Sequence, residues 1–190
     1  MDRTEIINYL KEHVSSARFQ HCLGVEKTAL ELTSMFGTAP EQASPAALLH
    51  DLCREYAPDS LLQLATNFGI VIDDIQRAEP LLLHGLVGAE LVRRELGITE
   101  PSVLEAISFH ITGAANLTPL ARSIFVADFI EPGRSFEYAR ELRRKLPMLS
   151  ADQLLLRVYN QTICYVVNRG YLIDPKTVEG RNELVFKGVQ

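Results

Sequence analysis

Cysteine is scarce in this chain of 190 residues: Cys22, Cys53 and Cys164 are odd in number and show no Cys-x-x-Cys spacing. That excludes a disulfide scaffold and a zinc finger, and it fits a reducing compartment. Long apolar runs are also missing, and none approaches the roughly 20 residues that a membrane span needs. The start, MDRTEIINYLKEHV, is too polar and acidic for a signal peptide. Together these absences point to the cytoplasm and away from a membrane. Basic residues are not in excess, because the net charge is -5. A broad cationic surface for extended nucleic acid is thereby excluded, although an arginine-lined pocket for a small anion is not. Strand signals are few, with no alternating run of β-branched and aromatic residues bounded by hairpin turns.

What the sequence does contain is apolar residues at helical spacing, drawn from a composition that is 47% hydrophobic and 23% charged. The pattern predicts helices over 3–13, from Ser15 or Ser16 to about Phe36, and over 40–56, 59–68 and 71–78. Further helices follow from about 81 to Gly97, from Pro101 to about His110, from Thr118-Pro119 to about Ile130, and near 136–146 and 150–169. Gly37, Gly69 and Gly97 fall where helix C-termini favour a left-handed residue. Thr118-Pro119 is a cap followed by proline at the first helical position. Pro58 ends the 40–56 helix in this reading, and the tail 171–190 carries no strong pattern. The expectation is one compact all-α domain over 1–190, a bundle of about nine to ten helices. Its oligomeric state is open, since amphipathic helices can also pair between chains as a homodimer.

Polar residues interrupt the apolar stripes at particular places. Of five histidines, His13 has no apolar context and reads as a surface residue. His21 shares a face with Ala17, Val25, Ala29 and Leu32. Ala46-Ala47-Leu48-Leu49 runs straight into His50-Asp51, and Val103, Ile107 and His110 share a face. Leu120, Ile124 and Asp128 recur at four-residue steps, while His84 opens a helix. A buried, unpaired carboxylate costs several kcal/mol. Asp51 and Asp128 must therefore be protonated, meet a distant arginine such as Arg18 or Arg134, or hold a cation. Histidines on similar faces favour the cation, and imidazole with carboxylate suits iron, manganese, zinc and related divalent metals. Cys22 and Cys53 flank these residues in sequence but point about 100° away on a helix, which is a packing role.

The ordered words carry a resemblance. Arg18-Phe-Gln-His21-Cys-Leu-Gly24-Val25, Leu48-Leu49-His50-Asp51-Leu-Cys-Arg54-Glu55, His84-Gly-Leu-Val-Gly88-Ala89, His110-Ile-Thr112-Gly113 and Ala127-Asp128-Phe-Ile-Glu131-Pro132-Gly-Arg134 resemble the HD-domain superfamily of metal-dependent phosphohydrolases. Within it they are similar to the YqeK-type branch of bacterial symmetrical bis(5'-nucleosyl)-tetraphosphatases. The likeness spans about residues 5–170. The chain departs from that branch in having Arg54 where lysine is common and Ile111 where threonine is common. Arg54 keeps the charge but alters phosphate geometry.

The resemblance implies a helical bundle with a metal centre, commonly iron (manganese, cobalt, nickel or zinc being other ions for such donors). It also implies hydrolysis of diadenosine tetraphosphate to two ADP. His21, His50, Asp51 and Asp128 are the implied ligands of a first ion. Asp51 would bridge to a second ion held by His84 and His110. If only one ion binds, His84 and His110 contact phosphate or assist proton transfer. Arg18, Arg54 and Arg134 are expected at the phosphates, with Glu55 beside them, and Glu131 behind a ligand histidine or an arginine. Asn168, Arg169 and Tyr171, within 168–175, are expected to help close a nucleotide pocket. Other readings of the same words are an HD phosphohydrolase for another nucleotide and a nucleotide-sensing module without turnover.

Overall fold

The structure, a computed structural model, describes residues 1–190. Its elements are helices throughout, with no strand. In chain order these are α1 (Arg3–His13), α2 (Ser16–Glu31), α3 (Thr33–Phe36), α4 (Pro40–Leu49), α5 (Pro58–Asn67), α6 (Asp74–Ala78), α7 (His84–Glu95), α8 (Pro101–Phe109), α9 (Pro119–Ile130), α10 (Glu137–Lys145), α11 (Ala151–Asn168) and α12 (Pro175–Phe186), with 3-10 turns at Pro80–Leu83 and Leu146–Met148. The all-α expectation holds, but there are twelve helices rather than nine to ten.

The starts follow local chemistry. Asp2 and Glu5 form a capping box on α1, Ser15 caps α2, and Thr118 caps α9 ahead of Pro119. A side-chain acceptor in each case satisfies an amide that the first helical turn leaves without a partner. The expected helix from Ser15 or Ser16 to Phe36 breaks at Leu32, so α3 is separate and ends on left-handed Gly37 (φ 67°). The unpatterned tail is in fact helical. Asp174 caps α12 through the Lys176 amide, and Pro175 stands at its first position.

The segment 40–56 is not one helix. α4 stops at Leu49, and the chain continues through tight turns closed by Leu52 N–H to Leu49 O (3.2 Å), Arg54 N–H to Asp51 O (3.0 Å) and Tyr56 N–H to Cys53 O (3.2 Å). His50 helps to end the helix, because its Nδ1 pairs with the carbonyl of Ala47 at 2.7 Å. Pro58 does not close this segment but opens α5, where a missing amide hydrogen costs nothing.

α2, α4, α8 and α9 pack on one another at the centre; α7 lies along α8, and α11 packs against α9 and α12. Buried apolar side chains from α1 to α12 form one continuous cluster. Tyr159 of α11 is buried in it, and its hydroxyl accepts the Ala114 amide and donates to the Ala114 carbonyl, both at 3.1 Å. This fixes the loop between α8 and α9. Tyr159→Phe should lower unfolding free energy by about 1–3 kcal/mol, since two partly buried backbone groups lose their partner. Chemical denaturation measures this, and an unchanged midpoint would show that the loop is held otherwise.

Candidate metal centre

The ends of the central helices converge. His21 comes from the second turn of α2, His50-Asp51 from the exit of α4, His84 from the first residue of α7, His110 from the exit of α8, and Asp128 from the last turn of α9. His50, Asp51, His84 and His110 are buried, whereas the side chains of His21 and Asp128 keep 11% and 19% exposure. The cluster is therefore sealed from beneath and opens past α2 and α9. His13 is apart from it, exposed and stacked on Tyr9.

Three histidines are set in the same way. The Nδ1 atoms of His50, His84 and His110 pair with the carbonyls of Ala47, Leu81 and Ile107, each three residues back, at 2.7, 2.5 and 2.8 Å. A carbonyl only accepts, so each Nδ1 carries a proton and each ring turns its Nε2 inward. His21 differs, for its Nδ1 lies 3.1 Å from Oε1 of buried Glu131. Gly85 makes part of this convergence possible. A Cβ there would lie 2.6 Å from the Ser108 carbonyl oxygen, so only glycine lets α7 and α8 approach closely enough for His84 to reach His110.

The inward atoms form two adjoining groups. In the first, His21 Nε2 is 3.3 Å from His50 Nε2, 3.4 Å from Asp51 Oδ2 and 3.0 Å from Asp128 Oδ1, and His50 Nε2 is 3.3 Å from Asp51 Oδ2. In the second, His84 Nε2 is 2.9 Å from His110 Nε2, and Asp51 Oδ1 is 3.1 and 3.3 Å from the two. Asp51 thus turns one oxygen to each group. Ligand atoms about 2.1 Å from one ion and at right angles to one another are about 3 Å apart, and the observed spacings match that. Lone pairs facing each other at these distances repel unless a proton or a metal ion lies among them. Imidazole nitrogens with carboxylate oxygens are the donor set of a divalent metal.

The charged surroundings are ordered. Arg18 Nη1 meets Asp51 Oδ2, and Arg134 Nη2 meets Asp128 Oδ1, both at 2.5 Å. Arg143 of α10 donates to the carbonyls of Ile130, Glu131 and Arg134, fixing the turn that carries Glu131 and Arg134. Burial works against a charge on His21, but hydrogen bonds to Asp128 and Asp51 prevail and raise its pKa to about 9. Burial instead pushes His84 below its ordinary value and keeps it neutral. Burial also opposes ionisation of Asp128, yet His21 and Arg134 hold it below the usual carboxylate range.

These shifts give a signed expectation for metal-free protein. The folded pKa of His21 is raised from 6.5 to about 9. Its contribution to stability is therefore complete below pH 6.5 and lost as pH rises through 9. Melting of chelator-treated protein should show this loss between those values, and His21→Gln should remove it. An identical pH profile in the variant would contradict the assignment.

Beside the cluster lies a polar cleft of about 640 Å³, lined among others by Arg18, Gln20, His21, Lys27, Glu55, Glu131 and Arg134. Glu55 also accepts the Ser15 amide and hydroxyl, tying the turn after α4 to the start of α2. Arg54 is not among the residues lining this cleft. An unbroken helix over 40–56 would set Arg54 on the face of His50 and Asp51, but the chain turns after Leu49. Lys27 was not anticipated, although it shares an α2 face with Gln20 and Gly24. A second cleft of about 530 Å³ adjoins Asp128 and Arg134 and is bordered by Phe129, Phe136, Gln161, Thr162 and Tyr165. Asn168, Arg169 and Tyr171 lie beyond it, near the end of α11, and do not line it.

The HD domain family model matches residues 18–133, which hold every residue of the cluster, and the chain belongs to that family. A symmetrical bis(5'-nucleosyl)-tetraphosphatase of Halalkalibacterium halodurans is 31% identical, over 98% of this chain and 99% of that one. A Bacillus subtilis protein of the same name is 32% identical, over 97% and 98%. Among solved structures, a Clostridium acetobutylicum protein described as a predicted HD superfamily hydrolase involved in NAD metabolism superposes with a TM-score of 0.93, at 34% identity and 98% coverage of each chain. No helix of this chain is long and apolar enough to cross a membrane.

Proposed function

We propose that this chain hydrolyses diadenosine tetraphosphate symmetrically, releasing two ADP. The observation that carries the reading is the convergence of four imidazole Nε2 atoms on the two oxygens of Asp51. The near full-length likeness to proteins named for this activity supports it.

In this proposal His21, His50, Asp51 and Asp128 hold one ion, and Asp51, His84 and His110 hold a second, with iron as the ion in the cell. The histidine and carboxylate donors suit iron, and so does the likeness to the YqeK-type branch. When bound, such ions lower the pKa of a water molecule and neutralise phosphoryl charge. Water adds its oxygen to one of the two central phosphorus atoms, the bridge between them breaks, and the departing ADP takes the proton. Arg18, Arg134 and Lys27 meet the polyphosphate from the rim, where guanidinium groups pair with phosphate oxygens in a forked geometry. Glu55 lines the same cleft and limits how many cations face the chain of phosphates. The aromatic cleft beyond Arg134 offers ring faces to a nucleobase, while Gln161 and Thr162 supply polar edges.

Chromatography of the products from purified protein, diadenosine tetraphosphate and added divalent metal tests the proposal. ADP as sole product is expected. ATP plus AMP would place cleavage at an outer phosphate and overturn it.

A further inference from the structure

The two groups of inward atoms are not equivalent, and the difference centres on Glu131. The group formed by His21, His50, Asp51 and Asp128 offers four donors, and that of Asp51, His84 and His110 offers three. His50, His84 and His110 lean on neutral backbone carbonyls. Only His21 is backed by a carboxylate, Glu131 Oε1 at 3.1 Å. A carboxylate behind a histidine ligand fixes its tautomer and makes the inward nitrogen a stronger donor.

The seat of that carboxylate is built for it. Glu131 is 4% exposed, and its Oε2 accepts the Gly133 amide hydrogen at 2.5 Å. A Cβ on Gly24 would fall 2.5 Å from Oε2, and one on Gly133 would fall 2.8 Å from Oε1. α2 and the turn after α9 therefore leave a notch the width of one carboxylate. The charges bear on the same side. Asp51 Oδ2 and Asp128 Oδ1, the carboxylate oxygens of the His21 group, are each met by an arginine at 2.5 Å, whereas the nearest arginine nitrogen to Glu131 is 4.0 Å away. Glu131 thus adds, through His21, a carboxylate that no arginine meets directly, and it does so on one side of the centre only.

We infer that Glu131 is a positioning residue that makes the His21 side the tighter of two metal positions, so that the centre fills in order, the His21 side first and the His84–His110 side second. This rests on the metal ligation proposed above, but not on the identity of the substrate.

Titration of chelator-treated protein with manganese, with free ion counted by electron paramagnetic resonance, tests it without substrate. The wild type is expected to bind in two steps. Glu131→Gln should weaken the tighter step by about 10- to 100-fold, the usual cost of losing such a partner, and shift the weaker step less than threefold. Glu131→Asp should recover part of the affinity. Gly24→Ala, which displaces the carboxylate without removing its charge from the chain, should act on the same step. His84→Gln should delete the weaker step and leave the tighter one in place. The inference is overturned by a one-step isotherm in the wild type, by equal shifts of both steps in Glu131→Gln, or by loss of the tighter step in His84→Gln. If binding follows the expected order while diadenosine tetraphosphate is not cleaved, the substrate assignment fails and this inference stands.

Discussion

Asp51→Asn is expected to strip the centre of metal on both sides and to lower turnover by at least about 10³-fold, or about 4 kcal/mol of transition-state stabilisation. The size follows from position. Asp51 turns Oδ2 toward His21 and His50 and Oδ1 toward His84 and His110, all within 3.1–3.4 Å. Asparagine fills the same volume but loses the charge, and it presents an amide NH₂ to one of these histidine pairs. No other carboxylate lies within 3.4 Å of histidines from both groups. The substitution also leaves the partly buried guanidinium of Arg18 without its anion, so unfolding of the metal-free variant should begin at lower temperature. Metal analysis together with steady-state kinetics checks this. A variant that keeps its full metal content and turns over within tenfold of wild type would remove Asp51 from the centre.

His110→Gln is expected to halve the metal content, from two ions to one, and to lower kcat by on the order of 10²-fold or more while changing KM much less. Its ring is held by Ile107 O, and its Nε2 is 2.9 Å from His84 Nε2 and 3.3 Å from Asp51 Oδ1. Its closest inward partners thus belong to the second group, although its ring also packs edge-on against His50 at 4.8 Å between centroids, and the four donors on the His21 side are retained. An ion held by His84, His110 and Asp51 would neutralise phosphoryl charge, an effect felt in the transition state more than in ground-state binding. Unchanged metal content with a raised KM would instead make His110 a phosphate contact in a one-ion site.

Much of this is legible in the sequence alone. The cap and proline at Thr118-Pro119 mark where α9 begins and Ser15 or Ser16 marks the start of α2, because an unsatisfied first turn selects such residues; the structure has Ser15 as the cap. His21, His50, His110 and Asp128 stand out because a polar group on an apolar stripe needs a partner, and Arg18, named in the sequence as a possible partner of a buried carboxylate, meets Asp51.

Other features could not be read, or were misread. Asp174-Pro175 is the same start signal as Thr118-Pro119, but Gly180 and the polar residues of α12 weakened the periodicity that would have backed it. The turn through His50–Tyr56 was hidden because tight turns with i to i−3 bonding bury Leu52 and Cys53 much as a helix would. The turn moves Arg54 off the face that an unbroken helix would share with His50 and Asp51. The aromatic cleft needs α9, α10 and α11 brought side by side, which no local pattern states. The partition of Asp51 between two groups and the notch for Glu131 also depend on tertiary contact alone.

The most direct test follows ADP formation from diadenosine tetraphosphate in one preparation, before chelation, after metal removal confirmed by elemental analysis, and after divalent metal is returned. The account predicts ADP as the only nucleotide product, its loss with the metal, and its recovery with the metal. ADP formation at an undiminished rate in protein shown to be metal-free would contradict it.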